Sequence, residues 1–309
     1  MNKFIEINLL KNLSRVGKGK IYKNYWELLN QATDVDDLIN LMEKNSNFSR
    51  KVLEIAKEDA EDLYKYIVDS DITVITVFDE EYPKKLMKMG NKRPLILYIK
   101  GNIEALSKLN LAVIGTRKPS MLSQHFEENL VKQVINSSDR VIVSGLALGC
   151  DKIAHKSTVD ENETTIAILP SGINVITPAS HKKLAQEIIE TGGCLISEYN
   201  PNAKAFKGTY VERDQVVAAL SDAIFVIECG VKSGTMHTVE FANEYKTPIF
   251  SFLPTERPEN SYDGNEFILN RYDAIKVEYV EEFLSELDLL NITNSEIDIS
   301  KGDVQSKLI

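Results

Sequence analysis

The stretch Leu111-Ala112-Val113-Ile114-Gly115-Thr116-Arg117 decides how this chain is read. A short apolar run stops abruptly in a loop of small residues, and the pattern returns three times. Val141–Val143 runs into Ser144-Gly145-Leu146-Ala147-Leu148-Gly149, and Ile166–Leu169 into Pro170-Ser171-Gly172. Ala223–Ile227 leads by a short loop to Lys232-Ser233-Gly234-Thr235. In a parallel sheet such loops all lie at the carboxyl ends of the strands, the edge where open α/β sheets bind ligands. Glycine permits close backbone approach, hydroxyls add donors, and helix N-termini offer free N–H groups and a positive dipole end. That edge suits phosphate.

Outward from these runs, strands are expected near 111–114, 141–143, 166–169, 194–197, 223–227 and 248–253. Helical patterns over 120–136, 151–160, 179–191, 211–220 and 235–246 separate them. Such alternation predicts an α/β fold with a doubly wound, mainly parallel, extended Rossmann-like sheet. Gly115, Ser144, Ser171 and Ser233 are then expected on one edge. Before it, residues 1–70 read as a small helical accessory domain, with apolar residues at helical spacing over 22–29, 36–42 and 52–67. Ile72–Val77 and Leu95–Ile99 are strand-like, a last helix is expected near 279–288, and 288–309 reads as a polar, disordered tail.

With 43% hydrophobic residues among 309, the chain can bury a real core. No apolar run approaches the ~20 residues that span a bilayer, and the N-terminus carries no signal-peptide pattern. Cys150, Cys194 and Cys229 are too far apart for a zinc pattern and read as buried thiols of a cytoplasmic protein. A net charge of -10 argues against a broad nucleic-acid-coating surface. If nucleic acid is bound, positive charge must be concentrated in one pocket.

Gly115-x-Arg117 is not the dinucleotide fingerprint, because Arg117 stands where a second glycine is required, so no nucleotide cofactor is expected. An arginine there can fork two hydrogen bonds onto a phosphate; a surface ion pair is the alternative. Asp151 reads as a helix cap and His155 as a structural histidine with no nucleophile beside it. His125, His181 and His237 have no metal-ligand spacing. Lys207-Gly208-Thr209-Tyr210 with Arg213 combines two cations, a flexible glycine and a ring, the mixture that holds single strands: cations on phosphates, a ring under a base. Ser233-Gly234-Thr235 reads as an anion cradle at a helix start, with capping alone as the alternative.

At these residues the chain resembles the DNA-processing protein A (DprA/Smf) family. The matches run in order through Tyr82-Pro83, Leu97-Tyr98-x-x-Gly101, Val113-Ile114-Gly115-Thr116-Arg117-x-Pro119-Ser120 and Ser144-Gly145-Leu146-Ala147-x-Gly149-x-Asp151-x-x-Ala154-His155. They continue with Thr165–Leu169, Leu195-Ile196-Ser197-Glu198-Tyr199, Arg213 before Ala218-Ala219-Leu220-Ser221, Ser233-Gly234-Thr235 and Gly264-Asn265-x-x-Ile268. The resemblance spans roughly residues 70–287.

The resemblance implies a Rossmann-like domain over 71–287 that binds single-stranded DNA without cutting it. It also implies loading of the RecA recombinase in natural transformation, and a homodimer formed through that domain. By motif position Arg117, Lys207 and Arg213 would meet phosphates, Tyr210 would stand at the aromatic position, and Gly115, Ser144, Gly145, Lys232, Ser233, Gly234 and Thr235 would line the pocket. Where the family usually has Arg-Asn-Arg, this chain has Arg213-Asp214-Gln215. Restoring the cation with Gln215→Arg is therefore expected to tighten binding. Many members end in a winged-helix domain, which this sequence is expected to lack.

Two other classes compete. Related Rossmann-like proteins hydrolyse nucleotide N-glycosidic bonds with a loop glutamate, but Thr238 stands at that position and Glu240 comes two residues later. A nucleotide-signal sensor, for example in phage defence, would use the same phosphate edge for a small ligand.

Overall fold

The structure, a computed structural model, describes residues 2–13, 27–257 and 262–287. Most of the expected helix over 22–29, and the tail over 288–309, lie outside the described residues.

Among the described residues the chain leads with helices α1 (Asn2–Leu13), α2 (Val35–Asn45) and α3 (Arg50–Val68), and residues 27–31 are helical as well. Asp34 caps α2 by accepting the Asp37 N–H. Strands β1 (Thr73–Thr76) and β2 (Ile96–Gly101) follow, and then the alternating unit begins. It comprises β3 (Asn110–Ile114), α4 (Met121–Ser137), β4 (Val141–Ser144), α5 (Cys150–Asp160), β5 (Thr165–Ile168), α6 (Lys182–Glu190) and β6 (Cys194–Ser197). The chain goes on through α7 (Lys207–Leu220), β7 (Ala223–Val226), α8 (Thr235–Glu244), β8 (Ile249–Phe252), α9 (Asp263–Arg271) and β9 (Ala274–Val277). Residues 280–287 are helical.

The nine strands form one sheet in the order β1-β2-β6-β5-β4-β3-β7-β8-β9. From β6 to β9 all pairings are parallel, whereas β2 runs antiparallel to both β1 and β6. The loops after β3, β4, β5 and β7 therefore share one edge, as the apolar runs predict. Strand alternation sorts side chains to two faces. Ala112 and Ile114 meet α7 and α8, while Leu111 and Val113 meet α4 and α5. Farther along that second face, α1, α2, α3 and α6 pack against Ile96, Tyr98, Ala167 and Leu195 in one continuous apolar cluster. Among the described residues no helix is long and apolar enough to cross a membrane.

Two elements depart from the sequence reading. Helix α7 starts at Lys207, so Lys207–Tyr210 form its first turn instead of a flexible loop. Strand β9 was absent from the expected strands because its residues are mostly exposed at the sheet edge and carry no buried run.

Candidate nucleic-acid interface

Strand order reverses at β3. Strands β4, β5 and β6 step out to one side, β7, β8 and β9 to the other, so the loops after β3 and β7 diverge. A crevice must open at such a switch point, and a cleft of about 630 Å³ lies there. Its walls include Gly115, Thr116 and Arg117 after β3, Gly145, Ala147 and Asp151 around the β4 loop, and Lys207, Tyr210, Arg213 and Asp214 from α7. Ser233, Gly234, Thr235 and His237 close the far side.

The β4 loop is held from within. Asp151 Oδ2 accepts the N–H groups of Gly145 at 3.1 Å and Ala147 at 3.2 Å. The Gly145 N–H, expected to line a phosphate pocket, thus already holds a carboxylate together with its neighbour. Asp151 does not cap α5; Gly149 occupies the cap position at φ 75, and a Cβ there would lie 2.3 Å from the Thr116 carbonyl oxygen. The Cys150 N–H donates to that same oxygen at 3.1 Å, tying the β3 and β4 loops together.

Ser144 does not line the cleft. Its hydroxyl is buried and donates to the Val113 carbonyl at 2.7 Å, a link between neighbouring strands. Lys232 is exposed but lies outside the cleft lining. Gly115 packs its backbone on Cys150, Gly234 faces open space, and Ser233 has its hydroxyl buried beside the Cys229 thiol.

Arg213 is at the cleft but only 6% exposed. Its Nε donates to Asp214 Oδ1 at 2.9 Å, and Nη1 donates to the carbonyls of Ile168, at 3.0 Å, and Gly145. A Cβ on Gly145 would collide with Nη1, so a side chain there would push the guanidinium from its place. Arg213 therefore braces the β4 and β5 loops against α7 and does not present an open fork to a phosphate. Burial raises the Asp214 pKa even with Arg213 beside it. Gln215 is buried, donates to the Tyr245 hydroxyl, and is absent from the lining. An arginine at 215 would enter packed structure, so Gln215→Arg is expected to destabilise the fold instead of tightening binding.

Among the described residues lining the cleft, Arg117 and Lys207 are the exposed permanent cations. The Arg117 guanidinium carbon lies 5.8 Å from the centroid of the Tyr210 ring, within cation–π range. His237, dismissed as a metal ligand and not otherwise singled out, also faces the cleft. Its spacing of three residues after Gly234, one turn along α8, was the available signal. It pairs with Glu240 at 3.9 Å only when protonated. Glu240 is not part of the lining, and no group of three or more His, Cys, Asp or Glu side chains could hold a metal among the described residues.

His155 is structural, as the sequence suggests. The Thr165 hydroxyl donates to the Ile142 carbonyl, so it accepts from His155 Nδ1 at 2.8 Å, leaving Nε2 to accept the Leu146 N–H at 3.3 Å. Burial lowers the His155 pKa to about 3.

A model of the DNA recombination-mediator protein A family matches residues 73–288. Protein Smf of Escherichia coli is 30% identical over 214 residues, covering 69% of this chain and 56% of that protein. The chain thus spans little more than half of that relative. The X-ray structure of DNA processing protein A from Streptococcus pneumoniae superposes with a TM-score of 0.76 at 25% identity, covering 93% of this chain and 98% of that one. DNA processing protein A from Helicobacter pylori, described with its single-stranded DNA binding mode, gives a TM-score of 0.63 at 29% identity over 70% of this chain and 95% of that one. The matched segment is the sheet that carries the cleft, and it takes up well over half of the sequence. On that ground this chain belongs to the DNA recombination-mediator protein A family.

Proposed function

We propose that the cleft holds single-stranded DNA, with Arg117 and Lys207 on phosphates and a base stacked at Tyr210. The observation that carries this reading is the placement of the Arg117 guanidinium over the Tyr210 ring, beside Lys207, at the switch-point edge. A cation for the phosphate and a ring for the base stand within one nucleotide of each other, in a protein whose net charge of -10 opposes binding elsewhere. The Helicobacter pylori relative, which binds single-stranded DNA, supports it by similarity. No catalysed reaction is assigned, and the bound strand is the form handed to RecA in the cytoplasm. The protein acts as a homodimer joined late in the Rossmann-like domain, where Phe267, Ile275 and Tyr279 are exposed.

Titration with a fluorescent oligo-dT strand, a duplex and a free nucleotide tests the reading. Preferential binding of the single strand, weakened in Arg117→Ala and in Lys207→Ala, is the expected result. Parent-like strand binding by both variants, together with strong competition by the free nucleotide, would favour the sensor. A cleft of about 630 Å³ is large enough for one nucleotide. RecA assembly on a coated single strand, measured with and without the protein, tests the loading step.

A further inference from the structure

Two carboxylates, Asp151 and Asp214, line a cleft proposed to hold a polyanion. Their depth differs from that of the cations. Arg117 and Lys207 are exposed, whereas Asp151 is 8% exposed and the Asp214 side chain 16%. Positive charge thus lies at the rim and negative charge at the floor. A phosphate at the floor would meet like charge, so the part of a nucleotide that enters is its base.

Asp151 is committed to the β4 loop through the Gly145 and Ala147 N–H groups. Asp214 is not so committed. Its Oδ1 accepts the Arg213 Nε–H at 2.9 Å, which fixes the direction of the carboxylate, and Oδ2 makes no hydrogen bond among the described residues. Asp214 follows Tyr210 by four residues, one turn along the same face of α7, and both line the cleft. The charges it feels include Asp151 on the β4 side and His237 on the α8 side, so the carboxylate stands between the two walls.

We infer that Asp214 reads the edge of the base stacked on Tyr210, and that the base it favours is guanine. An ionised carboxylate only accepts hydrogen bonds. Guanine alone among the four bases offers two neighbouring donors, N1–H and the N2 amino group, with no acceptor between them. Adenine and cytosine set a ring-nitrogen acceptor beside their amino group, and thymine flanks its N3–H with two carbonyls. Each of these turns a lone pair toward the carboxylate. Oδ2 is open to one guanine donor, and Oδ1 keeps a lone pair for the other; such charge-assisted pairs are the stronger hydrogen bonds. Burial works against the ionised form of Asp214, and two donors on its oxygens would favour that form again. The family that the sequence resembles usually has asparagine here, with one acceptor oxygen in place of two, so the preference belongs to this chain. It rests on the single-stranded DNA reading and adds a base to it.

The test is displacement of a labelled 20-mer of oligo-dT by four unlabelled pentamers: pentathymidylate, and its variants with guanine, hypoxanthine or adenine at the central position. The guanine pentamer should compete roughly 5- to 100-fold better than the thymine and adenine pentamers, the range for one bidentate base contact. Hypoxanthine, which lacks the N2 amino group, should fall between them, a comparison that needs no variant protein. Asp214→Asn keeps an oxygen for Arg213 and should bring the guanine-to-thymine ratio toward one. Equal competition by all four pentamers against a bound 20-mer would overturn the guanine preference and leave the cleft reading standing. A guanine preference that survives Asp214→Asn would also overturn the role of Asp214, and so would equal weakening of every pentamer through a loosened Arg213. If the parent binds no 20-mer, the single-stranded DNA reading itself falls and this inference goes with it.

Discussion

Arg117 and Arg213 bring the same guanidinium to the same cleft and meet opposite surroundings. Arg117 is exposed over a ring, whereas Arg213 is buried on two carbonyls and Asp214. Counting only Arg117 and Lys207, the log–log salt slope for single-stranded DNA should be about -1.4, in place of about -2 for three phosphate contacts. Arg117→Ala should reduce its magnitude by about 0.7 and weaken binding irrespective of base sequence. Arg213→Ala should act on the fold, leaving Asp214 and the Gly145 and Ile168 carbonyls short of partners, at a cost of about 3–5 kcal/mol in urea denaturation. His155 gives the molecule an acid limit. Its pKa is about 3 when folded, against 6.5 when unfolded, so the unfolded chain takes up the extra proton as pH falls. The stabilising contribution is full above about pH 6.5 and is lost as pH falls, by about 2 kcal/mol at pH 5. Urea midpoints at pH 7 and pH 5 should differ more in the parent than in His155→Gln; equal differences would count against this account.

At the scale of elements, α9 matters for a reason its sequence hides. The buried Asn265 amide donates to the Ile227 carbonyl at 3.1 Å and the Phe252 carbonyl at 3.0 Å, and its Oδ1 accepts the Cys229 N–H at 2.8 Å. It clasps the carboxyl ends of β7 and β8 and fixes the segment that leads to Ser233. Asn265→Ala should cost about 2–4 kcal/mol, the sum of lost bonds and stranded backbone groups, read by denaturation with little change in the salt slope. The same scale shows what the sequence could convey. Strands β3, β4, β5 and β7 were legible because buried apolar runs stop at small-residue loops, and β6 and β8 because their apolar runs continue the alternation with helical stretches. Strand β9 was not, since Ile275 and Lys276 are exposed and nothing marks them as paired. In the site, Arg117, Lys207 and Tyr210 were legible from residue type and place in the motif. Ser144 and Arg213 were not, because a strand's last side chain can turn to its neighbour, and a cation's availability depends on which carbonyls surround it. Those are facts of packing.

At the scale of the whole molecule, assembly is the first open measurement. Light scattering at high micromolar concentration should report a dimer; a monomer there would contradict the proposed joining of two Rossmann-like domains. The second concerns the leading helices. Phe4 meets Tyr98 edge-on at 6.2 Å, the Tyr98 hydroxyl donates to Asn8 Oδ1 of α1 at 3.4 Å, and Asn174 donates to the Tyr66 hydroxyl at 2.8 Å. With α1 to α3 sharing an apolar cluster with β2, β5 and β6, helices and sheet hold one body of buried surface. Calorimetry should therefore record a single endotherm. A shortened protein beginning near residue 71 would leave Ile96, Tyr98 and Leu195 without their cover and should precipitate or melt many degrees earlier. Anyone dissecting the cleft by expressing the sheet alone would be studying a wounded surface, and the DNA measurements belong on the intact chain.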